Sequence, residues 1–155
     1  MKIIIKPINQ LSEIQSNDLV SILNFDKKLK KELKSQRKNI TIKDFVEYNK
    51  KWAIKNNAQI FAIVLKNKAI GSISLSYISM QNKTARIGYW LASDYWSKGY
   101  VSQAFKLILD LAKKMKLENV SSTIEKENKA SRRIWEKYQA QFTEKNNKII
   151  PIINL

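Results

Sequence analysis

The residues able to do chemistry are limited in kind. The chain holds no histidine and no cysteine. That excludes a Ser-His-Asp triad, a thiolate nucleophile, zinc fingers, His-ligated metal sites and disulfides, and no metal is expected. Catalysis must use carboxylates, hydroxyls, lysines, backbone groups or a bound cofactor. One candidate centre surrounds Gly99, between a strand and a long amphipathic helix. A helix N-terminus after a small-residue loop presents unpaired amides and positive partial charge, which suits phosphate. Lys98 adds a cation beside it. Of the two other glycines, Gly71 fits a hairpin and Gly88 a strand position that another chain or a ligand approaches closely.

Positioning these residues is the task of the surrounding elements. The 155 residues suit one domain, 1–155, large enough for a real core. Lys2 to Ile8 reads as an opening strand ended by Pro7. Leu11, Ile14, Leu19, Ile22 and Leu23 recur at helical spacing, and Phe25 to Asn39 reads as a strongly basic helix or helix plus loop. Thr41 and Asp44 form a capping box before a helix that places Phe45, Tyr48 and Trp52 on one face. Gln59 to Leu65, Ala69 to Met80 and Thr84 to Leu91 then read as an antiparallel meander. Its first turn lies at Asn67 and Lys68, and Ser72, Ser74 and Ser76 mark the more polar side of its second strand. From Val101 to Met115 the apolar residues keep a period near 3.6. A strand over Asn119 to Ile124 and a helix with Asn128 as N-cap follow. Ile149 to Ile153 is a last strand, placed at an edge because Pro151 cannot donate to a ladder.

The formal charge is +16, yet 25 of the 29 basic residues are Lys and 4 are Arg. Lys, Ile and Asn share A/T-rich codons, so genome composition alone produces such a bias. Arg is the better residue for phosphate and base contacts. A solvated lysine-rich surface is therefore preferred to nucleic-acid binding. The short apolar run Ile3 to Ile5 is no signal peptide or membrane span, so a cytoplasmic protein without membrane partners is expected.

Two stretches carry a family likeness. Ile87-Gly88-Tyr89-Trp90-Leu91 and then Asp94-Tyr95-Trp96-Ser97-Lys98-Gly99-Tyr100-Val101-Ser102-Gln103-Ala104 closely resemble the cofactor-binding core of the GNAT N-acetyltransferase superfamily. Within it the likeness is to the ribosomal-protein (Rim-type) branch. Ile5-Lys6-Pro7, Ile70-Gly71-Ser72-Ile73, Asn128-Lys129-Ala130-Ser131 and Trp135-Glu136-Lys137 resemble further family elements in the right order. The resemblance implies an α/β (α+β) fold with a mixed, largely antiparallel central sheet flanked by helices. It also implies an acetyl-CoA cleft at a splayed strand and transfer of acetyl to an amine. Tyr89, Trp90 and Leu91 would line that cleft, with free backbone groups of their strand pairing with the pantetheine arm. Trp96, Ser97, Lys98, Gly99, Tyr100, Val101 and Ser102 would hold the pyrophosphate. Asn128, Ser131 and Arg132 would meet the cofactor from the other side, and an N–H near Leu91 would polarise the thioester carbonyl. Two departures stand out: Val101 is bulkier than the usual Gly or Ala, and Lys137-Tyr138-Gln139-Ala140 lacks the family's glycine.

The resemblance also frames the proton transfers. Many relatives place a tyrosine acid where this chain has Trp135, so Ser131 and Tyr138 are the candidate hydroxyls. Glu125 is the candidate base, with Glu127 nearby. Tyr77, Tyr89, Trp90 and Tyr95 could surround an acceptor groove, though alternation sets Tyr89 on the opposite strand face from Trp90. The acceptor would be a protein N-terminus or a small amine, with a polyamine disfavoured by the positive charge, and the chain a monomer or homodimer. A non-catalytic basic RNA- or ribosome-binding module and a CoA-binding sensor are the alternatives.

Overall fold

The computed structural model describes residues 1–155. Its strands are β1 (Ile4–Pro7), β2 (Gln59–Leu65), β3 (Lys68–Ser79), β4 (Thr84–Leu91), β5 (Asn119–Ser121), β6 (Ile124–Glu125), β7 (Gln141–Lys145) and β8 (Lys148–Asn154). The helices are α1 (Glu13–Phe25), α2 (Lys27–Glu32), α3 (Ile42–Lys55), α4 (Tyr100–Lys114) and α5 (Lys129–Lys137), with short 3-10 turns after β1 and β4. All strands join one sheet in the order β1-β2-β3-β4-β5-β8-β6, with β7 also paired to β8. Every pairing is antiparallel except β4 with β5.

Both faces of the sheet are covered. On one, α4 buries Ala104, Phe105, Ile108 and Ala112 against Ile73, Leu75 and Ile87, and α5 adds Trp135. On the other, α1 and α3 pack Leu19, Val20 and Phe45 on Ala62, Val64 and Ala69. This double cover changes the reading of β3. Ser72, Ser74 and Ser76 do share a polar side, but all three are buried. The apolar face of α1 is narrower than the spacing suggested, since Ile14 is exposed. In α3 the capping box forms at Thr41 and Asp44 and Phe45 is buried, while Tyr48 lies half in solvent.

Turn positions explain the displaced boundaries. The β2–β3 hairpin turns at Lys66 and Asn67, both with positive φ (47° and 69°), one residue earlier than expected. Asn146 and Asn147 (52° and 65°) do the same between β7 and β8. Gln139 takes the left-handed conformation (φ 63°) after α5, so the helix exit forms without the family's glycine.

β8 is not an edge strand. It lies between β7 on one side and β5 and β6 on the other, and Pro151 is buried in it. Pro151 sits where the neighbouring ladder is broken: β5 pairs through Ser121 with Ile152, and β6 resumes at Ile124 with Ile149. The Pro151 carbonyl accepts the Ser122 N–H at 3.3 Å across that gap. Nitrogen and carbonyl of one strand residue face the same side, so the missing N–H falls at the break.

Candidate functional site

The parallel pairing of β4 with β5 ends at Arg86 opposite Ser121. From Ile87 to Leu91, β4 is paired only to β3, and its other edge opens into a cleft. The Ala92 N–H bonds to Ile70 on β3. Leu91, one residue earlier, therefore directs its backbone groups to the open side, where its carbonyl accepts the Trp96 indole N–H at 2.8 Å. Gly71 sets how closely β3 approaches here. A Cβ at Gly71 would collide with the Trp90 carbonyl oxygen, whereas one at Gly88 would meet only Ser74 Oγ at 3.6 Å. The close approach of a neighbouring strand is thus made at Gly71 and not at Gly88.

The cleft is a cavity of about 680 Å³, within the range of small-molecule sites. Its floor is the N-terminus of α4. Gly99 is the N-cap, with φ 83° and no side-chain cap. The other four helices are each capped by a side chain: Ser12, Asp26, Thr41 and Asn128. The first amides of α4 are therefore left for a ligand. A Cβ at Gly99 would touch nothing within 4 Å, so glycine is favoured there by backbone conformation alone.

The Tyr89 hydroxyl and the Ser131 hydroxyl are in direct hydrogen-bond contact across the cavity. Burial pushes the Tyr89 phenol upward, the Ser131 hydrogen bond pulls the other way, and the charge of Glu32 adds to the rise. Tyr89 is consequently a protonated hydroxyl at neutral pH. Beneath it Phe105 links three elements, edge-on to Tyr89 at 6.4 Å and to Trp135 at 4.9 Å, and stacked with Tyr138 at 5.4 Å.

Most residues named from the sequence converge on this cavity. Tyr89, Trp90, Leu91, Trp96, Ser97, Gly99, Tyr100, Val101, Ser102, Asn128 and Ser131 all line it, as does Tyr95. Lys98, Arg132, Tyr138, Glu125, Glu127 and Tyr77 are not brought to it. Lys98 turns outward, its Nζ 5.9 Å from the Tyr95 ring centroid. Arg132 pairs with Glu136 at 3.0 Å and covers Phe142; one position on, a turn of about 100° brings Arg133 to the cavity instead. Tyr138 donates to the Ser102 carbonyl at 3.3 Å, holding the start of α4 from behind. Glu125 lies on β6, ion-paired to Lys148 at 3.4 Å and Lys34 at 3.9 Å. Tyr77 sits on a β-bulge, half exposed, with the Arg86 guanidinium 5.4 Å from its ring centroid. Trp135 is wholly buried and its indole N–H has no partner.

Five lining residues were not foreseen as such: Glu32 and Leu33 at the end of α2, and Ala130, Arg133 and Ile134 on α5. A signal for Glu32 existed, because it is the one acid between Asp26 and Asp44 in a stretch dense with lysine. No cluster of acids able to hold a metal is present, and no helix is long and apolar enough to cross a membrane.

Residues 10–141 match the family model described as an acetyltransferase (GNAT) domain. An uncharacterized N-acetyltransferase, p20, of Bacillus licheniformis is 27% identical over 92 residues, 57% of this chain and 52% of that protein. The ribosomal-protein-serine acetyltransferase of Escherichia coli K12 is 40% identical over 52 residues, 34% of this chain and 29% of that protein. The chain thus spans about half or less of the curated relatives it matches. The microcin C7 self-immunity acetyltransferase MccE, solved with acetyl-CoA and AMP, superposes with a TM-score of 0.77. That match covers 99% of this chain and 93% of that one at 24% identity.

Proposed function

The chain belongs to the GNAT acetyltransferase family, and from that premise we propose that it moves an acetyl group from acetyl-CoA to a primary amine. Residues 1–155 would act as one domain, with direct attack in a ternary complex. The observation that carries this reading is the uncapped N-terminus of α4 opening into the same cavity as the unpaired edge of β4. One feature suits pyrophosphate and the other an extended amide chain, and few ligands need both. The acetyl-CoA complex of the structurally similar MccE supports the same assignment.

When bound, acetyl-CoA supplies an activated acetyl group. The amides of Tyr100, Val101 and Ser102 would hold its pyrophosphate, with Arg133 as the one cation lining the cavity. The backbone of Tyr89 and Leu91 would pair with its pantetheine arm. The Leu91 N–H would face the carbonyl oxygen on which negative charge builds. Ser131, backed by the Tyr89 hydroxyl, would return a proton to the departing sulfur. Alignment of amine and carbonyl would supply much of the rate. The likeness to the E. coli ribosomal-protein-serine enzyme supports a protein acceptor over a small amine.

Titration calorimetry with acetyl-CoA tests the reading, followed by free-thiol release with peptide and small amines. Saturable binding and amine-dependent thiol release are expected. A folded protein that binds no acetyl-CoA would remove the proposal.

A further inference from the structure

We propose that Glu32 receives the acceptor's ammonium group and takes up the proton that the amine must lose. The proposal rests on the transferase reading above and names the acceptor side of that site. Glu32 is the one carboxylate lining the cavity. The chain forms six ion pairs, and Glu32 is in none of them, although Lys27, Lys28, Lys30, Lys31 and Lys34 surround it in sequence. It stands at the C-terminal end of α2, where the helix dipole disfavours a negative charge. Its side chain is exposed at the cavity, without an ion-pair partner.

α2 is short but firmly held. Leu29 is fully buried beneath it. The Asp26 carboxylate accepts the Leu29 N–H at 3.1 Å. It also accepts the Ser93 N–H and hydroxyl, each at 2.7 Å. Ser93 lies two residues past the end of β4, so these bonds tie α2 to the exit of the strand that carries Tyr89. The charge of Glu32 is felt at the Tyr89 hydroxyl. Glu125, the base expected from the sequence, already has two lysine partners and does not reach the cavity.

The proton balance closes. An N–H bond of the ammonium breaks and its proton passes to a Glu32 oxygen, freeing the nitrogen lone pair. The C–N bond forms as the C–S bond breaks. A second proton leaves the nitrogen for solvent, the sulfur receives one from the Ser131–Tyr89 pair, and that pair recovers its proton from solvent. Glu32 returns its proton to solvent.

The test compares Glu32→Gln with wild type, using two kinds of acceptor. Peptides and alkylamines, charged at neutral pH, make one set; hydroxylamine, a neutral nucleophile, is the other. Acetyl-CoA calorimetry on both proteins shows that the variant is folded. We expect unchanged acetyl-CoA affinity and kcat/KM for the charged amines lowered about 10²-fold. Hydroxylamine turnover should stay within about threefold, and Glu32→Asp should recover part of the loss. Equal loss for charged and neutral acceptors, or no loss for either, would overturn the proposal. So would a wild type that binds acetyl-CoA yet acetylates none of the charged amines. A wild type that does not bind acetyl-CoA would instead sink the transferase reading beneath it.

Discussion

The α4 wall and the α2 wall face each other across one cavity, and they are held in different ways. The α4 wall stands on the larger core: Phe105 lies under Tyr89, Trp135 under Phe105, and α5 closes from behind through Tyr138 and Lys137 to Ser102. The α2 wall has one buried leucine, the Asp26 bonds to Ser93, and an ion pair from Lys34 to β6. A wall resting on apolar packing can present backbone groups rigidly to an invariant cofactor. A wall fastened at a few polar points can be altered without disturbing the core, and such a wall suits the variable partner of the reaction.

The comparison breaks most severely at Trp135. Removing this wholly buried ring in Trp135→Ala should cost about 3–5 kcal/mol by cavity formation, and thermal or denaturant unfolding would show it. Trp135→Phe sharpens the point. It loses volume but also removes an N–H that has no partner, a group that costs about 1–3 kcal/mol when left unpaired. We expect a net change within about 1 kcal/mol. A loss near that of the alanine variant would mean that the indole N–H is satisfied by water.

Gly99→Glu should come next, acting on binding rather than folding. A side chain at φ 83° costs about 1–2 kcal/mol, and its carboxylate would oppose the pyrophosphate. Calorimetry should show acetyl-CoA affinity reduced about 10²-fold or more. Gly99→Ala meets no neighbouring atom, so it should show the backbone penalty alone. Equal effects from the two variants would remove the phosphate role from this loop.

On the α2 wall the effects should be smaller. Asp26→Ala removes an N-cap and the bonds to Ser93, for a loss of about 2 kcal/mol. Burial alone would raise the Asp26 carboxyl, but hydrogen bonds from Ser93 and Leu29, helped by Lys28, hold it below the ordinary carboxylate value of 3.8. A depressed carboxylate stabilises the fold above its unfolded pKa, and that share is lost as pH falls through the lower folded value. The wild type should therefore lose stability below about pH 4, and Asp26→Ala should lose less of it. Parallel acid profiles for the two proteins would contradict this account.

The two walls also differed in how far they could be read from sequence. α4 carries a regular apolar period and follows a glycine, so its extent and its uncapped N-terminal end were both legible. The meander was legible too, from strand lengths and alternation. The interior position of β8 was not, because Pro151 argued for an edge and the break between β5 and β6 that accommodates it depends on tertiary pairing. α2 was legible as a helix plus loop within Phe25 to Asn39, but the place of Glu32 in the cavity was hidden by composition. In a lysine-rich segment an exposed helix has little apolar contrast, and its one cavity-facing acid looks like another solvated charge. Turn boundaries were blurred for a related reason. With three glycines in the chain, left-handed positions are held mostly by Asn and Lys, and by Ser97, Gln139 and Tyr77, which do not mark turns in a sequence so rich in Asn and Lys.

Lys34 gives the finest test of the contrast. It ends α2 in the left-handed conformation (φ 53°), its N–H bonded to the Lys31 carbonyl and the Ser35 N–H to Lys30. Glycine is the usual residue at such a helix exit. Lys34 also reaches Glu125 at 3.9 Å, but its side chain is 81% exposed, and exposed pairs contribute little. Lys34→Gly therefore exchanges a weak ion pair and some chain entropy in the unfolded state for relief of backbone strain. The terms nearly cancel, and a stability change within about 0.5 kcal/mol is expected. Lys34→Ala keeps the strain and loses the ion pair, so it should be the less stable of the two by about 1 kcal/mol. If Lys34→Gly instead weakened turnover of charged acceptors while sparing acetyl-CoA affinity, the tie from α2 to β6 would position the acceptor wall. The α2 wall would then depend on electrostatic fastening as much as on Leu29.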